Sequence, residues 1–537
     1  MLTRMHSGAV DGIEGFVVSV EVDVSRGLPA FHIVGLPNAA VRESRERVLA
    51  AVRNSGFAFP LGRVTINLAP ADIRKEGASF DLAIAMGVIA TQDSTPNEPR
   101  DMRSRALLLG ELSLFGELQP VRGLLAIVLA AASLGEQLVV VPAVQAWEAR
   151  LVSGMEVIGA RNLAEVVAWW RGGVIPRQER AAKGPQTSES DNPTAATAAA
   201  TFLGVVGHPE AKQAAVIAAA GRHNLLLIGP PGTGKTRLAR AIENLLPPLS
   251  TPEALEVTRI HSVAGTLRGG RLIARRPFRA PHHTITRAGL IGGGNKLHPG
   301  EVTLAHRGIL FLDEVAEFSP PVLDVLREPM EEGKVAVARN SACRIFPASF
   351  QLIAAMNPCR CGFWGSHRRV CTCTPTALAH YRGRLSGPLL DRIDLFVEMG
   401  ELTSSLFNTV RGWLGDKSCA QTDCSGSSPA KESWRDMKNR IARVRDLLLP
   451  LGEPTNAGFG EPRHIVRELG LDQAAMDYLE EARQRFALSL RGVMRCARVA
   501  RTIAYLAERE RVTVADVAEA LTYRQEVIPG FSGEAIL

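Results

Sequence analysis

The sequence predicts an α/β protein in which a parallel sheet around a phosphate-binding loop follows an N-terminal α/β domain and precedes a C-terminal set of helices. Three observations predict it. The apolar run at 225–228 leads into GPPGTGKT, formed by Gly229, Pro230, Pro231, Gly232, Thr233, Gly234, Lys235 and Thr236, and then into a helix-compatible stretch at 237–246. A second apolar run, ILFLDE at 309–314, ends in the carboxylates of Asp313 and Glu314. From 202 to about 400, strand-length apolar runs alternate with helical stretches, as in parallel strands covered by helices.

The elements follow in order. At 16–24, Val18, Val20, Val22 and Val24 alternate with Ser19, Glu21 and Asp23, the period of a half-buried strand. A turn at 26–29 leads to an amphipathic helix at 39–54, a strand at 63–68 and a helix at 80–90. Two strands flank Gly116, and the domain closes near Trp170, which places it at 1–172. The alanine-rich run at 123–134 is too short to span a bilayer and reads as a buried helix. Residues 173–200, rich in Gly, Pro, Ser, Thr and Ala, read as a flexible linker. The parallel-sheet core occupies 201–400, and a polar insertion carrying Cys419 and Cys424 occupies 401–433. Helices are expected at 434–449, 461–469, 472–488, 492–509 and 514–525, making 434–537 an α-helical lid.

Bulk properties narrow the function class. A chain of 537 residues exceeds one hydrophobic core, so several domains are expected. The first ten residues lack the apolar segment of a signal peptide, which points to a cytoplasmic protein with no membrane span. A net charge of +7 favours polyanionic partners, and Arg268 to Arg287 concentrates arginine beside His282 and His283 with no acidic residue. Eight cysteines in so long a chain argue against a disulfide framework, and four of them crowd into 359–373.

The loop and the acidic strand end together specify nucleotide hydrolysis. Glycines let backbone N–H groups approach triphosphate oxygens, Lys235 supplies a compact positive charge, and Thr236 offers an oxygen to Mg²⁺. Asp313 lies where it can complete the Mg²⁺ shell, and Glu314 where it can polarise the attacking water. In CRCGFWGSHRRVCTC, Cys359, Cys361, Cys371 and Cys373 could satisfy a tetrahedral Zn²⁺ of structural role, with His367 as a substitute ligand; reduced, metal-free thiols are the alternative.

Longer motifs then carry a resemblance. FRAPHHT at 278–284, LIGGG at 290–294, PGEVTLAHRGILFLDE at 299–314, AAMNPC at 354–359 and SGPLLDRIDL at 386–395 occur in the order found in the magnesium-chelatase-like AAA+ ATPases, and the chain resembles their ComM/YifB type over nearly its whole length. The resemblance implies a hexameric homo-oligomeric ring using ATP and Mg²⁺, acting on single-stranded or branched DNA as a helicase for branch migration in recombination of incoming DNA. It further implies that Asn357 is a polar sensor beside the γ-phosphate, and that Arg392 is an arginine finger reaching the neighbouring subunit's ATP. Arg491, ahead of Arg495 and Arg498, takes the place of a second sensor arginine. Residues 268–296 form an insert and 332–345 a β-hairpin, both facing the ring's pore, where Lys334, Arg339 and Arg344 would track nucleic-acid phosphates with little base specificity. His282 and His283 serve either DNA or a subunit boundary.

The first domain resembles the Lon proteolytic domain without its chemistry. Ser79 in RKEGAS stands at the nucleophile position, but the position of the activating lysine is Leu125, which cannot take a proton. Two rival functions share the core motifs: a magnesium chelatase ATPase subunit, and a protein-remodelling AAA+ module.

Overall fold

The computed structural model describes residues 2–73, 75–92, 102–174, 201–202, 204–205, 207–267, 271–294, 297–339, 342–366, 369–400, 433–449 and 469–524. The chain divides into two compact units, Met1–Thr187 with Ser250–Ala274, and Ser188–Leu249 with Arg275–Leu537. The linker at 175–200 and the polar insertion at 401–432, with Cys419 and Cys424, lie outside the described residues, as does most of the helix expected at 461–469.

The first unit is built on a seven-stranded mixed sheet ordered β3-β4-β2-β1-β5-β8-β9. Its strands are β1 (Leu2–Asp11), β2 (Glu14–Ser25), β3 (Ala30–Val34), β4 (Arg63–Ala69), β5 (Leu107–Leu108), β8 (Leu138–Pro142) and β9 (Glu156–Ala160); β6 (Glu111–Leu112) and β7 (Leu118–Gln119) form the small hairpin expected around Gly116. Val18, Val20 and Val22 are fully buried, as their alternation predicts. The helix Ala39–Asn54 starts where Asn38 accepts the Val41 N–H, and Arg47 forks onto the buried Asp81 at the head of helix Asp81–Ala90. The apolar run near 123–134 is the helix Leu124–Ser133. Against it packs Thr251–Ala264, opened by a capping box of Ser250 and Glu253. That helix falls inside the stretch expected to be the core, but Leu255 packs into the apolar cluster of Leu124, Leu125 and Val128, and the Gly123 N–H donates to Ser262 O at 3.1 Å.

The second unit holds a five-stranded, wholly parallel sheet ordered β11-β14-β17-β10-β18, formed by Leu225–Ile228 (β10), Phe278–Arg279 (β11), Ile309–Leu312 (β14), Gln351–Met356 (β17) and Leu395–Glu398 (β18). β10, β14 and β17 are buried along their whole length, so they read as continuous apolar runs. Between them lie the short pair β12 (Gly292–Gly293) and β13 (His298–Pro299), and the hairpin of β15 (Lys334–Arg339) and β16 (Ala342–Pro347). Helices Trp434–Leu448, Gln473–Arg485, Leu490–Leu506 and Val514–Thr522 share one hydrophobic core with the helix Pro209–Gly221 and the sheet.

Polar ties hold these end helices to the sheet. Arg495 Nη1 lies 2.5 Å from Asp394 Oδ1, and Asp394 Oδ2 accepts the Asn224 N–H at 2.8 Å. Burial alone would raise the Asp394 carboxyl, but the Arg495 guanidinium holds it below its ordinary range. His223, 3% exposed, sits with Nε2 2.8 Å from Thr502 Oγ1, and burial pulls its pKa down to about 4. The unfolded chain takes up this proton near pH 6.5 while the fold refuses it until about pH 4, so stability falls as pH drops through that window, by on the order of 3 kcal/mol. Urea midpoints of the native chain and of His223→Gln, compared between about pH 7 and pH 5, check this: the variant should lose much of the pH dependence.

Candidate nucleotide site

The register of the parallel sheet assembles the site. Ile228 pairs with Met356 and Leu312 with Ala354, so the residues following β10, β14 and β17 emerge on one edge. Gly229 runs so close to β18 that a Cβ there would come within 2.2 Å of Met399 O. Gly234 adopts φ +93° immediately before the helix Lys235–Leu245, a left-handed turn that favours glycine and sets the helix N-terminus at the end of the loop.

Lys235 Nζ donates to Gly229 O at 2.6 Å, Pro230 O at 2.8 Å and Asn357 Oδ1 at 3.2 Å. Burial pulls its pKa below the usual lysine value, with Asp313 and Glu314 acting in the opposite direction. Thr236 Oγ1 donates to Asp313 Oδ2 at 2.8 Å, while Asp313 Oδ1 accepts the Glu314 N–H at 3.0 Å. The hydroxyl and carboxylate thus converge as two oxygen donors suited to Mg²⁺. Glu314 is exposed and held at φ +51°, a strained backbone for a non-glycine residue. The structure therefore brings the loop Gly229–Thr236, Asp313, Glu314 and Asn357 into one constellation.

The arginines lie differently. Arg392, 8% exposed, places Nη2 2.5 Å from Glu331 Oε1 and donates through Nη1 to Pro388 O. Arg491 reaches the same Glu331 oxygen at 3.1 Å from the helix Leu490–Leu506. One carboxylate therefore gathers the expected arginine finger and the expected second sensor arginine. Glu331 was missed because it lies in a run of acidic residues with nothing to set it apart from Glu328 or Glu332. Arg495 is committed to Asp394.

Lys334 and Arg344 lie on the β15–β16 hairpin, Lys334 exposed and Arg344 donating to Cys343 O at 2.9 Å. Arg339 ends β15, paired in register with Ala342. Several arginines of the insert are bonded to the residues that flank it in the fold. Arg279 forks onto Glu301 at 2.6 and 2.7 Å, Arg276 donates to Pro247 O and Arg307 O, and Arg275 reaches Glu243 and Asn244. His282 and His283 lie with ring centroids 4.1 Å apart at a tilt of 34°, and His283 is edge-on to Phe318.

Cys359, Cys361, Cys371 and Cys373 converge, all four Sγ atoms lying within 4.8 Å of one another. In the first unit Ser79 Oγ donates to Gly8 O at 2.8 Å, and Leu125 is buried in an apolar cluster with its N–H donated to Glu148. That leucine supplies no base for the serine.

Comparison with known proteins shows the family. Residues 201–406 match the family described as magnesium chelatase, subunit ChlI; residues 20–145 match subunit ChlI of Mg-chelatase, and residues 431–524 the ChlI C-terminal region. An uncharacterized protein of Mycobacterium tuberculosis is 43% identical over 532 residues, covering 98% of this chain and 99% of its own length. The competence protein ComM of Haemophilus influenzae is 37% identical over 529 residues, covering 98% of both chains, and the YifB protein of Escherichia coli is 37% identical over 527 residues, covering 97% of both. The magnesium-chelatase 38 kDa subunit of Cereibacter sphaeroides is 26% identical over 215 residues, 37% of this chain and 58% of its own. With near-full-length identity to ComM and YifB and an assembled phosphate loop, the chain belongs to the ComM/YifB type of the magnesium-chelatase family of AAA+ ATPases.

Proposed function

We propose that the chain is an ATP-driven DNA motor, working as a hexameric homo-oligomeric ring that promotes branch migration in recombination of incoming DNA. The observation that carries the reading is the convergence of Lys235, Thr236, Asp313, Glu314 and Asn357 at one edge of the parallel sheet. The DNA part rests on the exposed Lys334 of the hairpin and on the family resemblance; the role in DNA uptake rests on similarity to a competence protein.

In this reading the loop N–H groups and Lys235 bind the phosphates, the ammonium exchanging loop carbonyls for phosphate oxygens. Thr236 and Asp313 would hold Mg²⁺, which would supply positive charge to offset that of the phosphates. Glu314 orients the attacking water and accepts its proton, and Asn357, already bonded to Lys235, steadies the γ-phosphate end of the site. Arg392 contributes the charge that stabilises phosphoryl transfer, supplied to a neighbouring subunit.

ATP turnover measured without DNA and with single-stranded, duplex and four-way branched DNA, using Lys235→Ala as control, tests the function. Turnover should rise with DNA, most with the branched substrate, and fall with added salt because phosphate contacts dominate binding. Turnover that ignores all three DNAs would overturn the motor. The three family matches favour porphyrin metallation as the second reading, and turnover stimulated by a porphyrin with a partner subunit would support it.

A further inference from the structure

We propose that Cys359, Cys361, Cys371 and Cys373 hold one zinc ion, and that the zinc-centred turn braces the nucleotide loop and thereby sets ATP affinity. The inference rests on the nucleotide site proposed above and assigns that site a means of support.

Three of the sulfurs sit at close to the edge length of a four-thiolate site, and the fourth, of Cys373, lies within 4.8 Å of them. Cys359 and Cys361 are 3.3 Å apart, Cys361 and Cys371 3.5 Å, and Cys359 and Cys371 3.7 Å. A tetrahedral Zn²⁺ with bonds of about 2.3 Å has sulfur–sulfur edges of about 3.8 Å. Backbone N–H groups point at the sulfurs, Trp364 N at Cys359 Sγ (3.3 Å) and Cys373 N at Cys371 Sγ (3.5 Å), the support that a thiolate ligand needs. His367 lies outside the described residues, and the four sulfurs complete the set without it.

The position of the cluster connects it to the nucleotide. Asn357, whose side chain accepts from Lys235, stands two residues before Cys359. Gly362, at φ +85° between Cys361 and Phe363, packs on the loop so closely that a Cβ there would meet Pro231 Cδ at 2.9 Å. Immediately after Cys373, Thr374 caps the helix Pro375–Arg382. The turn thus touches the loop through Gly362, leaves the sheet through Asn357 and passes into a capped helix at Thr374. The described residues between the strand Gln351–Met356 and the helix Pro375–Arg382 carry no helix or strand, and one metal would give them a fixed conformation, because metal binding supplies folding free energy.

The test uses the full chain in its native, reduced form. Zinc is counted by atomic emission, and affinity for a fluorescent ATP analogue is measured in four preparations. These are the native chain, the native chain stripped with a zinc-selective chelator and then resupplied with Zn²⁺, the double variant Cys361→Ser/Cys373→Ser, and Gly362→Ala. About one zinc per native chain is expected. Stripping or the double variant should weaken nucleotide binding about tenfold or more, with added Zn²⁺ rescuing only the stripped native chain. Gly362→Ala should keep its zinc and still bind nucleotide more weakly, which separates the brace from the metal and from any folding failure of the serine variant. A native chain that neither contains zinc nor takes it up overturns the metal assignment. Zinc whose removal leaves affinity within about twofold overturns the brace. A native chain that holds zinc but binds no nucleotide overturns the nucleotide-site reading, and the brace with it.

Discussion

Replacing Glu314 by Gln is expected to lower ATP turnover by about 10²–10⁴-fold while leaving nucleotide affinity within about twofold. The reason lies in the division of labour along the Asp313–Glu314 pair. Asp313 is engaged at both oxygens, with the Thr236 hydroxyl and the Glu314 N–H. The Glu314 carboxylate is exposed, on a backbone turned out of the strand by its positive φ. Glutamine keeps the shape and loses the proton acceptor, so binding survives and water activation does not. Single-turnover hydrolysis beside equilibrium binding of a fluorescent nucleotide separates the two quantities. A variant that hydrolyses at more than a tenth of the native rate would remove Glu314 from the chemistry.

The second large effect is at Arg392. Arg392→Ala should reduce turnover about 10³-fold, the size of an arginine-finger loss, with nucleotide still bound. Within its own chain Arg392 pairs with Glu331, which also holds Arg491. Service to a neighbour therefore requires it to exchange that carboxylate for phosphate. Mixing settles where the arginine acts. In rings formed from Arg392→Ala and Lys235→Ala chains, about a quarter of the interfaces unite an intact loop with an intact arginine, so turnover should reappear from two inactive parents. No recovery in rings shown to contain both chains would confine Arg392 to its own subunit.

Much of this could be read from the residues, and what could not has physical causes. The loop, the acidic strand end and Asn357 were legible because each follows a fully buried apolar run, and parallel register converts three such runs into one edge. Val18 to Val22 announced β2 by strict alternation. β3, β8 and β9 carried no such period: LVVVP at Leu138–Pro142 is buried on both faces and could equally begin a helix. The Arg392–Glu331–Arg491 junction and the Arg495–Asp394 tie join residues far apart in sequence, and charge patterns along one chain do not say which partners fold together. Net charge misled in the same way at Arg275, Arg276 and Arg279, whose guanidinium groups are bonded within the fold.

The helix Thr251–Ala264 has a consequence for anyone who would take the protein apart. Because Ser250–Ala274 belongs to the first unit while the sequence on either side belongs to the second, the backbone crosses between units three times. A fragment ending at the linker would be missing one of its own helices, leaving the apolar side of Leu124–Ser133 uncovered and prone to self-association. A single cut between 173 and 200 would likewise leave two covalent connections intact. Genetic dissection of such a chain has to excise and rejoin rather than truncate.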